Sequence, residues 1–222
     1  MTIYVTRHGQ SMTNIDADLN SEFPINIRNN ILTETGIQQA MDFAHKLKGG
    51  GIELQEIVCS PYARTKQTAY TIASVLATMV PIHYNNKFKE IEWDVGGKFD
   101  RLEKHIPGFD SKTLAVSERP VVVRNRDLPV GETLTDSRRG AYTLESQEDV
   151  YNRVIPAFVK LSKKAKKKNI LLVTHFFVVR AIDAFMAEGT PEAMLRCSPT
   201  NLCLHSFTAE DVLAQWDKHP IA

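Results

Sequence analysis

Three short apolar runs constrain this chain more than any other feature: residues 2–6 (TIYVT), 55–59 (QEIVC) and 169–174 (NILLVT). Each is rich in β-branched residues, is shorter than a core helix and is bounded by polar or turn-forming residues, so each predicts a buried strand. Helical spacing follows each of them. From Thr33 the apolar positions Ile37, Ala40, Met41, Ala44 and Leu47 repeat as on one helix face, and Gly49, Gly50 and Gly51 end the run. Ser60-Pro61 predicts another helix, with Ser60 as N-cap and Pro61 in its first position, running to about residue 79. Residues 145–166 and about 177–188 predict two more helices, and a short strand fits 82–84. Two further strands are expected near 201–207 and 211–216.

Strands that alternate with helices and carry no polar face belong in a largely parallel sheet covered on both sides. The expected architecture is α/β, a three-layer α/β/α sandwich. With 222 residues, 43% hydrophobic and 24% charged, the chain suits one core-bearing domain spanning 1–222. The stretch 97–143 breaks the rhythm, with Pro107, Pro120 and Pro129 and no clean period, and predicts an insertion over the sheet edge. A formal net charge of +1 gives no general attraction to nucleic acid or membrane. The longest apolar stretch, ILLVTHFFVV, is too short for a bilayer span, and MTIYVTRHG lacks the features of a signal peptide. Three cysteines without a CxxC do not form a disulfide framework, so a reducing, cytoplasmic setting is expected.

In open α/β sheets ligands bind beyond the carboxyl ends of the strands. Arg7-His8-Gly9 follows the first strand, His175 follows the 169–174 strand, and Arg64 lies four residues after Ser60. Two histidines, two arginines and helix N-termini therefore converge on one edge. The set suits a phosphoryl group. Guanidinium forks bind phosphate bidentately, helix starts add N–H donors, and a neutral imidazole attacks phosphorus without first losing a proton. The attacking ring needs a partner on its other nitrogen, and the sequence does not reveal one.

Six elements then fall in the order of a known pattern. T-R-H-G-Q-S-x-x-N spans Thr6 to Asn14, and Leu32-Thr33-Glu34-Thr35-Gly36 fits L-(S/T)-x-x-G. Ser60 to Ala69 fits S-x-x-x-R-x-x-x-T-A, and Glu145 to Val154 fits E-S-x-x-D-x-x-x-R-V. Val173-Thr174-His175 and Asn201 complete it. Most of the chain, except 97–143, resembles the histidine phosphatase superfamily, the phosphoglycerate-mutase-like family.

The resemblance implies a phosphomonoesterase (a hydrolase of phosphoric monoesters) acting on a small phosphorylated substrate. His8 would become phosphohistidine, Arg7, Arg64 and His175 would clamp the phosphoryl oxygens, and Asn14 would assist. No cofactor or metal is implied. A carboxylic acid would protonate the leaving alcohol, and the family's L-x-E segment matches Phe88-Lys89-Glu90-Ile91, with Glu92 as rival. Phe176 stands where a glycine usually follows the second histidine; its N–H can still donate, and its ring narrows the pocket. The G-W and E-R-x-Y-G runs of glycolytic mutases are missing, which favours hydrolysis over mutase-type transfer, and the retained Arg7, His8, Arg64, His175 and candidate acid argue against a catalytically dead binding or regulatory relative.

The remaining features have plainer readings. His45, His83, His105, His205 and His219 lack ligand spacing, and there is no HExxH. Lys163 to Lys168 fits a helix C-terminus. Within the insertion, Arg119, Arg124, Arg126, Arg138 and Arg139 fit either a solvated loop or a cap that reads a second anionic group, with Arg124 and Arg126 the candidate substrate contacts.

Overall fold

The computed structural model describes residues 1–15, 30–77, 79–91, 121–123, 141–143 and 145–221. Five strands form the central sheet: β1 (Thr2–Arg7), β2 (Glu56–Cys59), β3 (Ile82–Tyr84), β6 (Ile170–Thr174) and β7 (His205–Thr208). They lie in the order β3-β2-β6-β1-β7. All neighbours are parallel except β7, which runs antiparallel to β1. The helices are α1 (Met12–Ile15), α2 (Glu34–Gly49), α3 (Ala63–Leu76), α4 (Gln147–Lys164), α5 (Phe176–Ala187) and α6 (Ala209–Lys218).

β6 explains the fold most directly. All five of its residues are buried. Ile170 and Leu172 pack with Val154, Phe158, Ile182 and Phe185 of α4 and α5. Leu171 and Val173 pack with Ala40, Phe43, Ala44, Ala69 and Ile72 of α2 and α3. Successive residues point to opposite faces, so a strand with no polar face needs a helical layer on each side. The α/β/α expectation holds.

Capping fixes where helices start. Thr33 accepts a hydrogen bond from the Gly36 N–H at 3.0 Å and caps α2. Ser146 and Asp149 form a reciprocal capping box on α4. Three local expectations are corrected. Ser60 does not cap a helix: α3 begins at Ala63 behind Tyr62, and its last turn ends at Leu76, before Ala77 in a left-handed conformation. Residues 211–216 are helical, because Thr208 caps the Asp211 N–H and Ala209, Val212 and Trp216 fall on one helical face against the core. The strand expected from 201 begins at His205, and Asn201 and Leu202 form a turn before it. Within the expected insertion, β4 (Val121–Val123) and β5 (Ala141–Thr143) pair antiparallel as a separate two-stranded sheet. The rest of 97–143, with Arg119, Arg124, Arg126, Arg138 and Arg139, lies outside the described residues, as does Glu92.

Two glycines let the loop after β1 lie directly on the start of α2. A Cβ on Gly36 would stand 1.9 Å from the Gln10 carbonyl oxygen, and one on Gly9 would stand 2.4 Å from the Gly36 oxygen. The obstacle is backbone in each case, so no side chain can give way. Gly36→Ala should therefore lower stability by about 1–3 kcal/mol despite Ala's better helix propensity. Urea unfolding checks this, and an unchanged midpoint would contradict the packing described.

Candidate active site

The carboxyl ends of β1, β2 and β6 share one edge, because all three are parallel and β6 lies between the other two. His8 and Ser60 continue the ladder for one residue more. The His8 N–H donates to Thr174 O at 2.9 Å, and the Ser60 N–H donates to Val173 O at 3.2 Å. The edge thus brings together His8, Ser60 and His175.

His8 is 3% exposed and Arg64 4%. Arg64 Nε donates to His8 Nε2 at 3.0 Å. A guanidinium has no acceptor, so Nε2 must carry its lone pair. The proton of the neutral ring then sits on Nδ1, which donates to the Gly9 carbonyl at 2.7 Å. Here is the partner that the sequence did not reveal. Burial, then the charges of Arg64 and Arg7, hold the His8 pKa well below the usual imidazole value. The ring is therefore neutral at pH 7 with Nε2 as its basic atom. Its backbone is fixed from two more sides. Asn201 Nδ2 donates to His8 O at 2.8 Å, and the Gly9 N–H donates to Thr68 Oγ1 at 3.2 Å.

His175 is fully buried, and its ring centroid lies 5.4 Å from that of His8. Its Nε2 is hydrogen-bonded with Ser60 Oγ at 2.7 Å, and Tyr62 lies against it at 5.1 Å between centroids. Burial and the Arg64 charge push its pKa well down as well. Among the described residues, two buried polar atoms at this edge have no hydrogen-bond partner, Arg7 Nε and His175 Nδ1. Buried polar atoms are ordinarily satisfied, so such a pair marks a place where a ligand completes the network. Arg7 is anchored through Nη1 to Pro199 O at 3.1 Å, with its guanidinium carbon 5.1 Å from the Phe176 ring centroid. Burial lowers the Arg64 pKa to about 10, which still leaves it a cation at pH 7.

Glu90 sits across the first turn of α5. Its Oε2 accepts from the Phe176 N–H at 3.1 Å, and its Oε1 accepts from the Phe177 N–H at 3.2 Å and the Ile91 N–H at 3.0 Å. The Phe176 N–H, which sequence reasoning offered to a substrate, is thus taken by Glu90. Burial raises the Glu90 pKa, while Arg64, the backbone donors and Arg7 pull against it. The outcome is a carboxyl above its usual value beside two guanidinium groups.

The support for Glu90 comes from α4. Arg153 grips both oxygens of Glu145 and donates through Nη1 to Lys87 O at 2.8 Å and through Nη2 to Glu90 O at 3.2 Å. Thr174 Oγ1 donates to Phe88 O at 2.9 Å. The E-S-x-x-D-x-x-x-R spacing therefore serves to hold the 87–90 segment against the end of β6. Sequence reasoning gave no role to Arg153, Thr68, Tyr62 or Arg180, and it gave Ser60 the wrong one. Motif positions pointed to Arg153, Thr68 and Ser60; nothing pointed to Tyr62 or Arg180.

The side-chain hydrogen bonds described for Asn14 go to Ser11. Asn14 is exposed, and its Oδ1 accepts from the Ser11 N–H at 3.0 Å and the Ser11 hydroxyl at 3.1 Å. Among the described residues no group of three or more His, Cys, Asp or Glu side chains is arranged to hold a metal ion, and no helix is long and apolar enough to cross a membrane.

Comparisons with known proteins agree with this fold. A family model described as the histidine phosphatase superfamily (branch 1) matches residues 3–219. The human 6-phosphofructo-2-kinase/fructose-2,6-bisphosphatase 1 is 23% identical over 201 residues, covering 88% of this chain and 35% of that protein. The chain therefore spans about a third of the length of the curated relatives it matches. Among solved structures, a putative alpha-ribazole-5'-P phosphatase from Escherichia coli has a TM-score of 0.66 at 19% identity, over 93% of this chain and 89% of that one. A phosphoserine phosphatase mutant from Entamoeba histolytica, in complex with phosphoserine, has a TM-score of 0.64 at 21% identity over the same shares. At these identities the structural matches show a shared fold.

Proposed function

Because the chain belongs to the histidine phosphatase superfamily (branch 1), we propose that it is a phosphomonoesterase that hydrolyses a small phosphorylated molecule through a phosphohistidine on His8. The observation that carries this reading is the fixed tautomer of His8, with Nδ1–H on Gly9 O and the Nε2 lone pair facing Arg64. A neutral, buried imidazole held by its far nitrogen is a ready nucleophile. The phosphoryl group enters between His8 Nε2 and the Arg64 guanidinium, which shifts its donor to a phosphoryl oxygen. Arg7 and Arg64 supply charge, and His175 supplies a neutral donor. If the Ser60 hydroxyl donates to His175 Nε2, the partnerless Nδ1 bears the proton and serves as that donor. Such pre-aimed donors account for most of the stabilisation of a phosphoryl-transfer transition state.

In the first step the P–O bond to the alcohol breaks as the P–Nε2 bond forms, and protonated Glu90 gives its proton to the leaving oxygen. In the second step Glu90 takes a proton from water, whose oxygen attacks phosphorus and releases His8 and phosphate. No step calls for a metal, since Arg7 and Arg64 provide the positive charge. The names of related structures, phosphoserine and alpha-ribazole-5'-P phosphatases, favour a small phosphomonoester as substrate. We further assign the chain to one domain, with 97–143 as an insertion whose Arg124 and Arg126 contact the substrate, and with Asn14 and Phe176 at the rim. The three free cysteines are in keeping with a cytoplasmic setting. A screen of phosphorylated metabolites and phosphopeptides for phosphate release, before and after exhaustive chelation, tests the reading. The expected result is hydrolysis of a small phosphomonoester that survives chelation. Activity restored only by Mg²⁺, Mn²⁺ or Zn²⁺, or interconversion of 2- and 3-phosphoglycerate faster than hydrolysis, would overturn it.

A further inference from the structure

Arg180 has no part in the clamp described above, yet it belongs to the same wall. It lies four residues after Phe176 in α5, hence on the same helical face one turn on. Its guanidinium carbon is 5.1 Å from the Phe176 ring centroid and 5.5 Å from that of Phe177. The Arg7 guanidinium carbon is also 5.1 Å from the Phe176 centroid. The two cations therefore share one ring, and their separation cannot exceed the sum of these two distances. Arg180 is aimed by one bond, Nε to Met194 O at 2.7 Å. Its two terminal nitrogens make no hydrogen bond or ion pair among the described residues. The carboxylate that influences it, Glu90, is already held by three backbone N–H groups.

A merely structural arginine would spend its fork on carbonyls or a carboxylate. Here one nitrogen anchors the side chain to the 191–196 turn, and among the described residues the rest of the fork is left over. A half-buried cation is costly when it lacks an anionic partner, and the aromatic faces beneath it only orient it. The Phe176 ring, in the position where the family usually has glycine, is the platform that carries this second charge beside the first.

We propose that Arg180 binds a second anionic group of the substrate, so that the substrate is a phosphomonoester with a carboxylate a few bonds from the phosphate. The inference rests on the phosphatase reading and narrows it. Its geometry is simple: the phosphoryl group lies at Arg7 and Arg64, the short carbon linker crosses the edge of Phe176, and the carboxylate meets the free side of the Arg180 fork. Arginine suits this task because its planar donors match a carboxylate bidentately.

The test uses matched substrates that differ only in that group: phosphoserine against phosphoethanolamine, and 3-phosphoglycerate against glycerol 3-phosphate. Wild-type kcat/KM should be higher for the carboxylate member of at least one pair. Arg180→Met keeps the stem on the rings and removes the charge. It should lower kcat/KM for that member by about 10- to 100-fold, through KM, as expected for a lost charge-assisted hydrogen bond. Its loss on the partner lacking the carboxylate should be at least tenfold smaller. Arg180→Lys should recover part of the selectivity. Equal losses within both pairs, or no wild-type preference in either, would overturn the proposal while leaving the phosphatase reading in place. Failure of the wild type to release phosphate from any phosphomonoester, an aryl phosphate included, would instead overturn the phosphatase reading.

Discussion

Replacing His8 by Ala should reduce kcat by on the order of 10⁴-fold or more, the scale on which loss of a covalent nucleophile costs other enzymes. The size follows from what the ring supplies. Its Nε2 forms the bond to phosphorus, and no other described residue at the edge can replace it, because His175 has its own Nε2 engaged by Ser60 Oγ. Arg7, Arg64 and His175 remain in the variant, so substrate binding should persist while turnover collapses. The fold should survive, since the β1 loop is held by backbone bonds to Thr174, Gln39 and Asn201 that do not use the ring. Steady-state kinetics with a parallel melting curve separates these effects. Turnover within tenfold of wild type would remove His8 from the mechanism.

The second large effect is expected at Glu90. Glu90→Gln should cut the hydrolysis of alkyl phosphates by about 10²–10⁴-fold, the usual worth of general acid catalysis. The phosphorylation step with an activated aryl phosphate should be nearly spared, because its leaving group departs without a proton. The pH dependence carries the same signature. For kcat/KM the active form has Glu90 protonated and His8 neutral. Burial raises the Glu90 pKa, so activity is lost as pH rises through that value. The His8 pKa lies well below the ordinary imidazole value, so no loss is expected as pH falls through the usual histidine range. Glu90→Gln should abolish the alkaline fall. The incoming phosphate adds to the effect, since it neutralises Arg64 and Arg7, the charges that otherwise favour the ionised carboxyl. Glu92→Gln is the control: should it show the leaving-group-dependent loss while Glu90→Gln does not, the acid is Glu92.

The strands and the histidines at their ends could be read from the sequence because burial on two faces leaves a plain mark. Residues 169–174 have no polar face, and such a strand fits the middle of a covered sheet. The residues around 211–216 were harder. DVLAQW is short and mostly apolar, which suits a strand as well as a helix, but Thr208 capping the Asp211 N–H decides for a helix. Ser60 shows the opposite conflict. Local preference makes Ser-Pro a helix start, and a tertiary hydrogen bond to His175, 115 residues away, claims the hydroxyl instead. The partner of His8 Nδ1 left no trace in the sequence because it is a backbone carbonyl, which every residue has. Arg180 was invisible for a similar reason: its anchor is the carbonyl of Met194, and its neighbourhood with Arg7 exists only once α5 is seated beside β1. Gly36 lay in a recognisable motif, but only the approach of Gln10 O gives its reason.

The most direct measurement of the central claim is the site of the covalent intermediate. The protein is mixed with ³²P-labelled substrate and quenched within milliseconds in alkali, which preserves phosphoramidates. The account predicts one acid-labile, alkali-stable phosphoryl group, located by mass spectrometry on the peptide containing His8 and absent from His8→Ala. Label at wild-type level in His8→Ala, or label on any other residue, would contradict it.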